Sequence, residues 1–103
     1  MRRYRLVFAS KLSDVPNWGK KAVEINGRPI LLINIKGQVY ACENECPHQG
    51  VALTAGIVKE GHISCPRHGY RFDLKTGACL DSPEHALKVY SVQVQGDDIL
   101  VEL

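Results

Sequence analysis

Two short segments restrict what this chain can fold into: Cys46-Pro47-His48 and Cys65-Pro66-Arg67-His68, with sixteen residues between His48 and Cys65. Each supplies one thiol and one imidazole. Each also carries turn formers, Pro47 and Gly50 in the first and Pro66 and Gly69 in the second, which suits exposed loops rather than strand or helix interiors. Two Cys and two His arranged in this way can hold a metal centre between two loops, and the fold must then bring those loops together.

The other bounds are ordinary. A chain of 103 residues is one domain. An apolar share of 45% argues for a folded core, but so small a core gains from a bound metal. The net charge is +2, with no basic block, so nucleic acid is a poor partner. The longest strictly apolar run is Ile30–Ile33, far short of the ~20 residues that cross a bilayer. Arg2-Arg3 invites comparison with a twin-arginine export signal, but Lys11, Asp14 and Asn17 interrupt before an apolar stretch can form. Residues 3–8 read instead as a first strand, and a cytoplasmic protein is expected. Without an export signal, four Cys point to metal binding before disulfides.

The chain reads as short strands broken by turns. After residues 3–8 comes a loop from Ser10 to Trp18, with one helical turn near Lys11–Asp14. Strands 20–25 and 28–35 flank Asn26-Gly27, a hairpin signal. Strands are also expected at 38–42, 57–60, 62–65, 70–73, 78–80, 87–95 and 99–103. No segment keeps helical periodicity over a helix length. The fold class is all-β, a small antiparallel sandwich or barrel. Residues 1–41 and 82–103 form one β unit from both ends of the chain, and 42–81 an insertion carrying both ligand loops.

Two kinds of centre use two Cys and two His. A structural zinc site is tetrahedral and usually pairs Cys-x(2–4)-Cys with His-x(3–5)-His. One residue between Cys46 and His48 makes it hard for both to reach one ion. A two-iron cluster, with thiolates on one iron and imidazoles on the other, turns that spacing to advantage. The segments Asn44-Glu45-Cys46-Pro47-His48-Gln49-Gly50 and Cys65-Pro66-Arg67-His68-Gly69-Tyr70-Arg71-Phe72-Asp73, with Thr76-Gly77 and Ser82-Pro83, resemble the Rieske [2Fe-2S] family over nearly the whole chain, free-standing ferredoxins in particular. The resemblance implies a Rieske-type β domain with an inserted cluster-binding subdomain. It implies Cys46 and Cys65 on the inner iron, and His48 and His68 on the outer, solvent-facing one.

Quinol-oxidising members of that family carry a second Cys in each loop, joined as a disulfide, and a Ser and a Tyr after the second His. The matching positions here are Val51, Arg67, Tyr70 and Phe72. No such disulfide can form, and fewer hydroxyls reach the sulfurs, which implies a potential at the low end of the range.

Other residues read as duller. Cys42 and Cys79 are expected as buried thiols, with a disulfide at the base of the insertion as the alternative. His62 and His85 read as surface histidines, and Trp18 as a core plug. The resemblance, through the family's proline loop over the cluster, implies that Ser82-Pro83 limits water access. Gln49, Arg67, Pro47 and Pro66 would form a docking rim.

The resemblance implies a one-electron carrier, not an enzyme in itself. It would pass electrons from a flavin-dependent reductase to a terminal oxygenase through small, brief contacts, with neither nucleic acid nor membrane as partner. A small Rieske subunit of a nitrite reductase is one alternative. A zinc-stabilised interaction domain is another, of a different class.

Overall fold

The computed structural model describes residues 5–48 and 50–103. Among these residues, ten strands make three antiparallel sheets, accompanied by one 3-10 turn. The strands are β1 (Leu6–Lys11), β2 (Lys20–Ile25), β3 (Arg28–Ile35), β4 (Gln38–Glu43), β5 (Val58–Lys59), β6 (His62–Ser64), β7 (Arg71–Asp73), β8 (Val89–Tyr90), β9 (Val92–Gln95) and β10 (Asp98–Glu102). The first sheet has the order β1-β10-β9, the second β2-β3-β4-β8, and the third β5-β6-β7. The 3-10 turn spans Leu12–Asp14.

The apolar run Ile30–Ile33 explains the layering. All four residues are fully buried, and strand side chains alternate between faces. Ile30 and Leu32 point into a core shared with Val39, Ala41, Ile99 and Val101, against the first sheet. Leu31 and Ile33 point into another shared with Cys42, Leu53, Ile63, Phe72 and Leu87, against the third. An uninterrupted apolar strand is what burial on both faces requires. The second sheet is therefore a middle layer of the expected all-β fold, packed on both faces.

Strands β2 and β3 fall where the sequence places them. Asn26-Gly27 closes their hairpin with φ of 51° and 78°, the positive pair that a tight two-residue turn requires. Three expectations are corrected. The strand expected over 87–95 divides at Ser91: Val89 and Tyr90 pair with β4, and Val92–Gln95 with β10. The chain changes sheets there, and its alternation survives the change. Leu87 and Val89 face the third sheet, while Tyr90 and Val92 face the first. Residues 78–80 make only isolated bridges, Phe72 to Cys79 and Ala78 to Ala86.

Trp18 is the third correction. It is 47% exposed rather than a core plug. Its N–H donates to the Asn34 carbonyl (2.7 Å), and the Asn34 side-chain amide donates to the Val15 carbonyl (2.8 Å). This pinned turn holds Trp18 at φ 64° and gives the buried place to Val15, which is 0% exposed. The first strand begins at Leu6; the expectation for Arg3 and Tyr4 lies outside the described residues.

Gly77 ties the insertion to the returning chain. Its N–H donates to the Asp73 carbonyl (2.7 Å), and its own carbonyl accepts from Leu87 N–H (2.8 Å). Its φ is 83°, and a Cβ there would lie 2.0 Å from the Leu87 carbonyl oxygen. Gly61 has φ 84° but open space around it. Gly61→Ala should cost only the left-handed strain, about 1 kcal/mol, whereas Gly77→Ala adds a clash and should cost about 3 kcal/mol. Chemical denaturation of both variants checks the difference.

Candidate metal centre

The two ligand loops are built alike. In the first, Cys46 N–H donates to the Val51 carbonyl (2.7 Å), and Gly50 N–H to the Cys46 carbonyl (2.7 Å). In the second, Cys65 N–H donates to the Tyr70 carbonyl (2.8 Å), and Gly69 N–H to the Cys65 carbonyl (2.9 Å). Gly50 and Gly69 occupy the fifth place of each loop with φ of 72° and 78°, where a side chain would be strained. The motifs differ in where the imidazole stands, third in one loop and fourth in the other.

This shared geometry buries both Cys and leaves the imidazoles outermost. Cys46 and Cys65 are 1% and 2% exposed, while His48 is exposed and His68 half-buried. The ligand atoms of Cys46, Cys65 and His68 all lie within 4.8 Å of one another. His48 Nδ1 lies 2.8 Å from His68 Nε2, and Cys65 Sγ 4.0 Å from that same nitrogen. The structure thus brings together all four residues that the sequence singles out.

Outside the loops, side chains fix their approach. Asn44 Oδ1 accepts from Leu53 N–H (2.8 Å), and its Nδ2 donates to Thr54 Oγ1 (2.8 Å). One amide thereby closes the long first loop upon itself. Lys20 of β2 donates to the Gly56 carbonyl. Asp73 Oδ1 accepts from the N–H groups of Lys75 (2.7 Å) and Thr76 (3.0 Å), which shapes the turn leading to Gly77. Arg71 grips Asp81 with Nε (3.2 Å) and a terminal nitrogen (2.9 Å), and its backbone N–H also donates there (2.8 Å).

The donor chemistry suits a metal centre. A close approach of two ring nitrogens needs at least one neutral imidazole, the form that ligates metal. The His48 imidazolium is disfavoured, first by loss of water around the ring and then by the neighbouring rings of His68 and His85. Among the described residues, His68 Nδ1 is buried without a hydrogen-bond partner, the condition of an atom awaiting one. Two buried sulfurs with two outer imidazoles match a cluster having one iron of each ligand type.

The fold and site together define an all-β metal-centre domain. The chain belongs to the Rieske-like [2Fe-2S] domain family, whose pattern it matches over residues 6–102. It is 31% identical over 96 residues to the ferredoxin component of a naphthalene 1,2-dioxygenase/salicylate 5-hydroxylase system from Ralstonia sp, covering 92% of each chain. The ferredoxin of carbazole 1,9a-dioxygenase from Nocardioides aromaticivorans IC177 superposes with a TM-score of 0.86 at 29% identity, covering 93% of this chain and 95% of that one. A solved complex of reduced oxygenase and oxidised ferredoxin of carbazole 1,9a-dioxygenase matches with a TM-score of 0.83 at 28% identity, covering 93% and 91%. A putative NADH-dependent nitrite reductase small subunit from Mycobacterium tuberculosis shares the fold, with a TM-score of 0.91 at 24% identity over 99% and 97%. The cofactor is accordingly a Rieske-type [2Fe-2S] cluster, and the zinc reading is set aside.

The remaining sequence expectations divide. Cys42 and Cys79 are buried free thiols. Burial, and then Glu43, pushes the Cys42 thiol up to about 12, so it stays protonated and inert. Of the residues expected to form a docking rim, Arg67, Pro47 and Pro66 are exposed; Gln49 lies outside the described residues. No helix among the described residues is long and apolar enough to cross a membrane. His62 lies on β6 opposite Asp73. His85 is the residue that sequence reasoning missed: its ring centroid lies 4.8 Å from that of His48. A signal existed in its position, two residues after the Pro83 already expected beside the centre.

The Arg71 guanidinium and backbone N–H hold the Asp81 carboxyl below the usual carboxylate range. A depressed folded value means that this pair stabilises above the unfolded pKa, ~3.9. The contribution is lost as pH falls through the lower folded value. Asp81→Asn should therefore make the fall in melting temperature below about pH 4 shallower than in the parent. Melts from neutral to strongly acidic pH test this. Asp73 and Glu84, also held low, should keep part of the slope.

Proposed function

We propose that Cys46 and Cys65 hold the inner iron and His48 and His68 the outer iron of a one-electron carrier, which takes electrons from a flavin-dependent reductase and passes them to a terminal oxygenase. The observation that carries this reading is the burial split, with Cys46 and Cys65 1% and 2% exposed beneath an exposed His48 and a half-buried His68. Once bound, the cluster supplies a one-electron couple, raised in potential relative to an all-cysteine centre because neutral imidazoles replace two thiolates. The buried Cys loops exclude water from the sulfur end. The His48 and His68 rings form the short path to the surface, and Arg67 beside them offers positive charge to an acidic partner. A small, transient contact suits such transfer.

Residues 1–41 and 82–103 serve as scaffold and 42–81 as the cluster-binding insertion. The pairing of β1 with β10 and the separate β5-β6-β7 sheet support this division. The relatives' roles as dioxygenase ferredoxin components, and the solved oxygenase–ferredoxin complex, support the partners. The reading places the carrier in the cytoplasm. Service as the small subunit of a nitrite reductase is the second reading, favoured by the fold match alone.

Val51 and Arg67 stand where a loop-bridging disulfide would need Cys. Phe72, fully buried, offers no hydroxyl. The Tyr70 ring packs against both His48 and His68, with centroids 4.8 Å from each. Few donors to sulfur leave the couple at the low end of the Rieske range, about −150 mV to 0. Reduction with dithionite should give an EPR signal whose average g lies below that of an all-cysteine cluster; silence would overturn the assignment. His68→Cys should lower the midpoint potential in a redox titration.

A further inference from the structure

We infer that His85 is a positioning residue for His48: its ring packs edge-on against the His48 imidazole and, with Tyr70 and His68, confines that imidazole to one orientation. The inference rests on the reading of His48 as an iron ligand. His48 is on an exposed loop, and no hydrogen bond from its ring to backbone or to a carboxylate fixes its tilt among the described residues. Rings do this instead. His68 lies at 4.5 Å and 78°, Tyr70 at 4.8 Å and 40°, and His85 at 4.8 Å and 71° between planes. Tyr70 and His85 are themselves 6.0 Å apart, so the three contacts enclose one corner around His48. Separations and tilts of this kind are those in which aromatic rings attract one another.

His68 and Tyr70 belong to the second ligand loop. His85 comes from elsewhere, on a strap from Asp81 to Leu87 that is fastened at both ends. Arg71 holds Asp81 at one end. At the other, Ala86 bridges Ala78, and Leu87 N–H donates to the Gly77 carbonyl (2.8 Å). Between them, His85 N–H donates to the Ser82 carbonyl (3.1 Å), and Ser82 Oγ donates to Glu84. The strap is thus a short, closed turn that presents one ring to the first ligand loop.

An edge-on ring contact is worth about two- to twelvefold in an equilibrium or a rate. The test compares holoprotein carrying His85→Ala, His85→Phe or, as a control on the third sheet, His62→Ala. Two readouts are used: the EPR line shape of the reduced protein, and the rate at which a chelator strips iron. His85→Ala should broaden the spectrum and lose iron two- to twelvefold faster. His85→Phe, which keeps a ring and removes the nitrogens, should restore both, and His62→Ala should leave both unchanged. An unaltered spectrum and rate in His85→Ala would overturn the inference, as would a His85→Phe protein that behaves like the alanine variant. If His85→Ala does not load with iron, His85→Gln takes its place with the same expectations. Failure of the ligand assignment is distinguishable, because the parent protein would then lack the low average g.

Discussion

The double burial of β3 is the constraint on which the rest depends. Ile30 and Leu32 look one way, and Leu31 and Ile33 the other. Each fully buried side chain of this size contributes roughly 1.5–3 kcal/mol, so neither face can be left to water. One face requires the strands from the two ends of the chain, and the other requires the insertion. The middle sheet therefore fixes where the ligand loops dock, since Leu53, Ile63, Phe72, Cys46 and Cys65 share the core of Leu31 and Ile33. The site and the hydrophobic core are the same structure seen from two sides.

From that base, two loops of one hydrogen-bond pattern rise to the same point. Repetition of the Cys N–H bond and the glycine N–H bond sets both thiols at equal depth. The different place of His within each loop then brings the two imidazoles to meet above them. The protein needs no special chemistry to separate a buried sulfur end from an exposed imidazole end; the loop geometry alone does so. Asn44 closes the first loop upon itself, the Arg71–Asp81 pair ties the second loop to the strap, and Lys20 joins β2 to the distant Gly56.

Much of this was legible in the sequence because it is local. The Asn26-Gly27 hairpin, the all-β class and the four clustered donors each follow from residues a few positions apart, whose turn chemistry and alternation need no distant partner. The readings that failed depend on distant partners. Trp18 is apolar, but the Asn34 backbone and side chain decide which residue of its turn faces inward, and they choose Val15. The alternation over 87–95 is real, yet Ser91 marks a change of sheet that periodicity alone does not register. His85 carries no motif, and its closeness to His48 arises only when the strap is fastened at Arg71 and at Gly77.

The sequence by itself determined the kind of centre, since donor identity and spacing are covalent facts. It also determined what is missing, at Val51, Arg67 and Phe72, on which the proposed low potential rests. Only the tertiary structure decided which face of β3 meets the insertion, how deeply the sulfurs sit, and which rings surround His48. Those depend on contacts between residues far apart in the chain, and such contacts form where three layers close on one another.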